Sequence, residues 1–171
     1  MALVVEDGTG KTDAESYDTT AAVTTYHQSI GTAAADWEDL DEEVKEQKAR
    51  KTTNWMDNTF RRRWKGIRKT KAQAKDWPRY NVQDEDGYYV ASDSVPVQVR
   101  TAFWMLCPYI DTIREGIISP DKIKSERSKF GPMEEAVEYF GKKSQGGKLF
   151  PEVARVLGDV LTLAGRIRLN G

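Results

Sequence analysis

A dense run of cationic side chains in the middle of the chain is the part of the sequence best suited to binding a ligand. Eight lysines and arginines fall within fifteen residues, with no acidic residue among them: Arg61, Arg62, Arg63, Lys65, Arg68, Lys69, Lys71 and Lys75. Four aromatic residues flank or interleave this run: Phe60, Trp64, Trp77 and Tyr80. Rings beside a cationic groove hold single-stranded nucleic acid without sequence preference, because bases stack on the rings while phosphates meet the cations.

Two interpretations of the cationic run stay open. In the first, the run contacts nucleic acid. In the second, the rings anchor the hydrophobic core, and the charges are solvated or meet an acidic protein surface. In either case the candidate interface or DNA-contact residues are Arg61, Arg62, Arg63, Lys65, Arg68, Lys69, Lys71, Trp77 and Arg79.

No other part of the sequence carries a catalytic or ligand-binding motif that is complete. Gly8-Thr9-Gly10-Lys11-Thr12 resembles the end of a phosphate-binding loop, but Val5 stands where the full motif requires glycine. His27 and Cys107 are the only histidine and cysteine, and both fall in apolar helical stripes, which favours buried structural roles. We therefore expect no catalytic residue, no metal site, no cofactor and no enzymatic activity.

The elements that must position these residues are mainly helical. The pattern predicts a small helical bundle with long extended loop arms and a minor β-hairpin. Helices are predicted over residues 18–30, over 41–64, from Pro96 to a break at Pro108, and from Pro151 to Gly165. Extended or turn-rich segments are predicted at residues 66–95, around Trp77-Pro78 and the turn Asp84–Gly87, and a loose hairpin at 120–140.

One domain is expected, because a chain of 171 residues buries one core rather than two. Its predicted parts are an N-terminal arm (1–17), a helical core (18–115) containing the loop 66–95, a hairpin or loop (116–149), and a C-terminal helix and tail (150–171). The alternating residues Arg166, Ile167, Arg168 and Leu169 are predicted to dock on a partner by adding a strand to an exposed sheet edge.

The composition limits the classes of function. Hydrophobic residues make up 39% of the chain and charged residues 31%, and no apolar run approaches the roughly 20 residues that span a bilayer, so no membrane partner is expected. The net charge of -1 argues against a protein that coats nucleic acid with its whole surface. The predicted long helix is acidic at its start and basic at its end, which would allow identical subunits to associate head to tail in a ring.

Several short segments, in order along nearly the whole chain, resemble a family of phage proteins labelled DnaT-like single-stranded DNA-binding proteins. They include Leu3-Val4-Val5-Glu6-Asp7-Gly8-Thr9-Gly10, Thr53-Asn54-Trp55-Met56-Asp57, Arg63-Trp64-Lys65-Gly66, Trp77-Pro78-Arg79, Asp93-Ser94-Val95-Pro96 and Gly165-Arg166-Ile167-Arg168. Proteins of this type in turn resemble the head–tail connector proteins of tailed phages, which are also called adaptor or head completion proteins.

This resemblance implies two alternative functions. The favoured one is a structural virion protein of the head–tail neck, assembled in the host cytoplasm, with an adaptor-like fold. It would form a ring of about twelve copies that binds the portal protein and the tail (nozzle or tail-completion) proteins, and genomic DNA would pass through its channel. The alternative is a single-stranded DNA-binding replication protein, which the basic and aromatic segment at residues 60–80 favours.

Overall fold

The computed structural model describes residues 2–32, 36–114 and 146–162, and within these ranges the chain is mostly helical. Its helices are α1 (Thr20–Ser29), α2 (Glu42–Phe60), α3 (Val97–Leu106), α4 (Ile110–Arg114) and α5 (Gly146–Val156), with single 3-10 turns at Trp37–Asp39, Cys107–Tyr109 and Gly158–Val160. Two short antiparallel strands, β1 (Ile67–Arg68) and β2 (Arg79–Tyr80), pair with Ile67 opposite Tyr80. The expectation of a mainly helical fold is confirmed. The hairpin predicted at 120–140 and the tail Arg166–Leu169 lie outside the described residues.

The first helix follows the sequence prediction closely. Thr19 is its N-cap, with Oγ1 accepting a hydrogen bond from the Ala22 N–H at 3.1 Å, and Gly31 follows its end with a φ of 65°. His27 is buried, and its ring nitrogens contact Thr32 Oγ1 at 3.0 Å and the Trp104 carbonyl oxygen at 2.9 Å. The histidine therefore joins α1 to α3, as the predicted structural role requires.

The long helix ends earlier than predicted. α2 has Asp41 at its N-cap, as expected, but it stops at Phe60 rather than near Trp64. The chain turns over residues 61–63 because the Trp64 side chain is fully buried in the core and its backbone pairs with Leu161. Val44 stands at helical spacing with the apolar residues of α2, but in the structure it is 36% exposed and lies outside the core.

The third helix is the centre of the core. Val99, Ala102, Phe103 and Leu106 are fully buried on α3, which packs against α1, α2 and α5. The predicted break at Pro108 is confirmed, since α3 ends at Leu106 and a 3-10 turn leads into α4. Cys107 is buried in that turn, and burial raises the pKa of its thiol. It is a small core residue, as predicted.

Residues 66–95 are not the extended arm that the sequence suggested. Trp77 and Val82 are fully buried, and Trp77-Pro78 is a cis peptide bond. Gly66 has a φ of 66°, and a Cβ atom there would lie 2.1 Å from the carbonyl oxygen of Tyr80, so the turn needs glycine. The segment belongs to the core because its large side chains fill the space beside α2.

The last described helix also differs from the prediction at both ends. α5 begins at Gly146 rather than at Pro151, and it ends at Val156 rather than near Gly165. The chain then turns so that Leu161 pairs with Trp64 in an isolated antiparallel bridge. Among the described residues, no helix has the length and apolar character needed to cross a membrane.

Candidate nucleic-acid interface

The backbone of the cationic run is held in place from both sides. The Lys65 N–H donates to the Val160 carbonyl oxygen at 3.0 Å, and the Thr162 N–H donates to the Arg63 carbonyl oxygen at 2.7 Å. On the other side, the Lys69 N–H donates to the Pro78 carbonyl oxygen at 3.1 Å. The cations are thus carried on a fixed framework rather than on a loose loop, which lowers the entropy cost of arranging them around a ligand.

Three of the four aromatic residues that suggested base stacking are core residues instead. Phe60 and Trp64 meet edge to face with ring centroids 5.5 Å apart, and Trp64 and Trp77 do the same at 5.7 Å. Phe60 is buried, and both tryptophans are fully so. The assignment of Trp77 as a DNA contact is therefore wrong, because the ring has no surface that a base can reach.

Arg79 is also a structural residue rather than a ligand contact. Arg79 is only 6% exposed. Its guanidinium donates from Nε to the Lys65 carbonyl oxygen at 2.7 Å, from Nη2 to the Gly66 carbonyl oxygen at 2.8 Å, and from Nη1 to the Asp76 carbonyl oxygen at 3.0 Å. Its donors satisfy carbonyl groups of the turn around Gly66 that burial would otherwise leave unpaired. The prediction that Arg79 contacts DNA or a partner is wrong for this reason.

Three further cations of the run are partly engaged within the chain. Lys65 Nζ donates to the carbonyl oxygens of Gln83 at 3.0 Å and Asp159 at 2.7 Å. Lys69 Nζ donates to that of Gly8 at 2.9 Å. Arg68 contacts backbone carbonyls at 3.3 and 3.4 Å. These side chains are half-buried, so their charges strengthen the local positive potential more than they offer free hydrogen-bond donors.

The remaining four candidates are exposed: Arg61, Arg62, Arg63 and Lys71. Within the described ranges, Arg61 makes one ion pair, with Nη1 3.6 Å from Asp76 Oδ1, and no ion pair is described for the other three. Exposed cations whose internal pairing is weak or not described are the groups that an approaching phosphate can engage at least cost. The structure thus retains the arginine triplet and Lys71 as candidate contacts.

The sequence prediction missed two exposed aromatic residues close to the run. Tyr88 and Tyr89 are 73% and 72% exposed, and Tyr80 is 41% exposed beside its strand partner Ile67. Gln83 pairs with Tyr89 in an antiparallel bridge closed by the turn Asp84–Gly87, and Lys65 bonds the Gln83 carbonyl oxygen. The signal in the sequence was the pair Val82 and Val90 on either side of the Asp-Gly turn, because apolar residues flanking such a turn are typical of a hairpin.

We define the basic–aromatic surface as the exposed residues of this packed unit: Arg61, Arg62, Arg63, Ile67, Lys71, Tyr80, Tyr88 and Tyr89. The hairpin turn itself is acidic, with Asp84, Glu85 and Asp86. Its carboxylates repel phosphate, so we expect a nucleic-acid backbone to follow the arginine side of the surface and to avoid the turn.

A cluster of buried ionisable groups lies behind the arginine triplet. Tyr17 donates a hydrogen bond from its hydroxyl to Asp57 Oδ1, and Lys75 Nζ donates to Asn54 Oδ1 at 2.8 Å. Burial raises the pKa of Asp57 to about 7, and the Asp76 charge adds to this while the Tyr17 hydrogen bond and Lys75 oppose it. Burial likewise raises the pKa of Asp76, against the lowering effect of Arg61, Arg79 and Arg68.

The segment that resembles a phosphate-binding loop already holds an anion of its own. The N–H groups of Gly8 and Gly10 each donate to Glu6 Oε1 at 2.9 Å, and the Lys11 N–H donates to Glu6 Oε2 at 2.9 Å. Glu6 is buried. The amides that would cradle a nucleotide phosphate are therefore bound to an internal carboxylate.

Comparison with known proteins gives one match. A family described as "Putative DnaT-like ssDNA binding protein" matches residues 1–170. Neither the curated proteins nor the solved structures contain a match to this chain.

The family match corrects the favoured interpretation of the sequence. It points to a single-stranded DNA-binding protein rather than to a head–tail connector, and nothing supports the portal, the tail proteins, the twelve-copy ring or the virion neck as its setting. The acidic start of α2 that suggested the ring is partly used within the chain, where Glu42 accepts a hydrogen bond from Thr20 and Glu46 pairs with Arg50. Over residues 1–170, the chain belongs to this DnaT-like family.

Proposed function

We propose that this protein binds single-stranded DNA on the basic–aromatic surface and acts as a binding protein, not an enzyme. Phosphates lie on Arg61, Arg62, Arg63 and Lys71, and unstacked bases lie on the rings of Tyr80, Tyr88 and Tyr89. The observation that carries the proposal is the pairing of exposed cations with exposed tyrosines on one fixed framework. The description of the matching family supports it.

The chemistry of the surface favours single strands over duplexes. Tyrosine rings stack only on bases with a face that is not covered by a neighbouring base, and each such contact is worth about 1–3 kcal/mol. Duplex DNA offers the cations its phosphates but offers the rings nothing to stack on. This is the replication-type single-stranded DNA binder that the sequence raised as an alternative.

The test measures the affinity for a fluorescein-labelled oligothymidine and for a duplex of equal length by fluorescence anisotropy. We expect tighter binding of the single strand, and a large loss of affinity in the triple variant Arg61→Ala, Arg62→Ala, Arg63→Ala. Because each phosphate contact on a single strand contributes about 0.7 to the slope of log K against log salt, the triple variant should lower that slope by about 2.

The matched control is Arg155→Ala, since Arg155 is an exposed arginine on α5 that lies outside the basic–aromatic surface. It should bind the oligonucleotide like the wild type. Equal affinity of the triple variant and the wild type would refute the proposed site. Equal affinity of the wild type for both DNA forms would refute the stacking role of the tyrosines.

A further inference from the structure

Arg61 belongs to two environments at once. Its side chain is 61% exposed on the basic–aromatic surface, yet Nη1 lies 3.6 Å from Oδ1 of Asp76, whose side chain is 3% exposed. Asp76 in turn lies close enough to Asp57 for its charge to be felt there. One surface arginine therefore connects the proposed phosphate contacts to a buried pair of carboxyl groups.

Charged and titratable groups from every neighbouring element face this pair. The N-terminal segment contributes Tyr17, whose hydroxyl donates a hydrogen bond to Asp57, and Glu15, whose charge acts on Lys75 and which is paired with Arg50 of α2 at 3.0 Å. The loop before β2 contributes Lys75. The other cations that act on Asp76 are Arg68 of β1 and Arg79 of β2.

These groups compensate the pair unevenly. Arg79 donates hydrogen bonds to backbone carbonyls, one of them the carbonyl of Asp76 itself, and its charge also acts on the Asp76 carboxylate. Arg68 likewise contacts backbone carbonyls. Arg61 is the residue with a described ion pair to that carboxylate, and it is also the one that solvent and ligands can reach. The compensation of Asp76 thus depends in part on a group that DNA can engage, and Arg61 is the first of the cations that lower its pKa.

A phosphate that binds Arg61 competes with Asp76 for the same positive charge. It either draws the guanidinium away from the carboxylate or shares it, and in both cases it brings a negative charge closer to the buried pair. Each effect disfavours two ionised carboxylates in a site that is already poor in water. A proton taken from solvent by one carboxylate oxygen removes the added cost.

We infer that binding of single-stranded DNA at Arg61 is coupled to uptake of a proton by the buried Asp57–Asp76 pair, so that affinity rises as pH falls through neutrality. The inference rests on the proposed function, because it concerns the regulation of the same site. Thermodynamic reciprocity fixes the sign: if DNA favours protonation of the pair, protonation of the pair favours DNA. Protonated Asp76 no longer competes for Arg61, which is then free to bind phosphate.

The first measurement uses labelled oligothymidine of fifteen nucleotides and fluorescence anisotropy between pH 6 and pH 8.5 at constant salt. The wild type should bind at least about fivefold more tightly at pH 6 than at pH 8, the lower range of typical coupling between sites. Calorimetric titration in buffers of different ionisation enthalpy should show net proton uptake near pH 7. The variant Asp76→Asn should lose both effects, whereas Asp39→Asn, an exposed change in the 3-10 turn before α2, should keep them.

The second measurement needs no DNA. Carboxyl carbon resonances of Asp57 and Asp76 are titrated by NMR in the wild type and in Arg61→Gln, a surface change that leaves the core intact. The midpoints should move to higher pH in the variant, and unmoved midpoints would overturn the coupling. Binding that is independent of pH and takes up no proton would overturn it too, while leaving the proposed function intact. Absence of binding at any pH would instead sink the proposed function.

Discussion

The buried carboxyl of Asp57 makes a testable contribution to the pH dependence of stability. Burial raises its pKa from 3.8 to about 7 in the folded protein. The folded state therefore holds this proton more tightly than the unfolded chain does. The stabilisation is fully present below pH 3.8 and is lost as the pH rises through 7. The chain should become less stable, through this group, over that window.

The magnitude follows from the size of the shift. About three pH units at 1.36 kcal/mol each correspond to roughly 4 kcal/mol. Because the charges of Asp76 and Lys75 act on Asp57, the titrations are coupled and we expect about 2–4 kcal/mol. The asparagine of Asp57→Asn keeps an oxygen that can accept a hydrogen bond from the Tyr17 hydroxyl, but its side chain cannot ionise. The difference between the free energies of unfolding of the variant and of the wild type should therefore rise, in favour of the variant, by about 2–4 kcal/mol between pH 4 and pH 8.

The assay is urea unfolding followed by far-UV circular dichroism at half-unit pH intervals. Taking the difference between variant and wild type cancels the titration of groups that both proteins share, provided that the slopes against urea agree. Asp39→Asn serves as the control, because that residue is exposed and should show no such drift. A difference that stays constant between pH 4 and pH 8 would refute the argument that Asp57 is buried at an electrostatic cost.

Two further predictions test the framework that carries the surface. Arg79→Ala removes three hydrogen bonds to buried or part-buried backbone carbonyl groups and should lower the free energy of unfolding by about 3 kcal/mol. Arg79→Lys should not restore the stability because an ammonium cannot span the three acceptors; a loss below about 1 kcal/mol in chemical denaturation would contradict the structural role. Gly66→Ala should destabilise by at least about 1 kcal/mol, since the left-handed φ and the Tyr80 carbonyl oxygen both exclude a Cβ atom; an unchanged melting temperature would show that the turn has another conformation.

The helical core could be predicted because its signals are local. The stripe from Val99 to Leu106 repeats with the period of a helix and ends before a proline, and no distant contact changes that outcome. The end of α2 could not be predicted in the same way. Its helical pattern continues past Phe60, but burial of Trp64 against the C-terminal segment decides where the helix stops, and that partner lies far along the chain.

The candidate site was predicted in part for a related reason. The candidates chosen from the sequence include the arginine triplet, which the structure places on the surface, but also Trp77 and Arg79, which are buried. Long amphipathic side chains look alike in sequence whether they face solvent or close a turn, and only the tertiary partners separate the two cases. Tyr88 and Tyr89 were missed because the strands on either side are too short to show an alternating pattern.

The contact between the C-terminal segment and the cationic run has a consequence for the order of folding. Arg63 and Thr162 are separated by 99 residues, so their pairing closes a very long loop. Such contacts raise the contact order and form late, because the entropy of loop closure must be overcome before they contribute stability. On a ribosome, the cationic run therefore remains unclamped until residue 162 has emerged, about 100 residues after the run itself, and the proposed DNA site is completed only then.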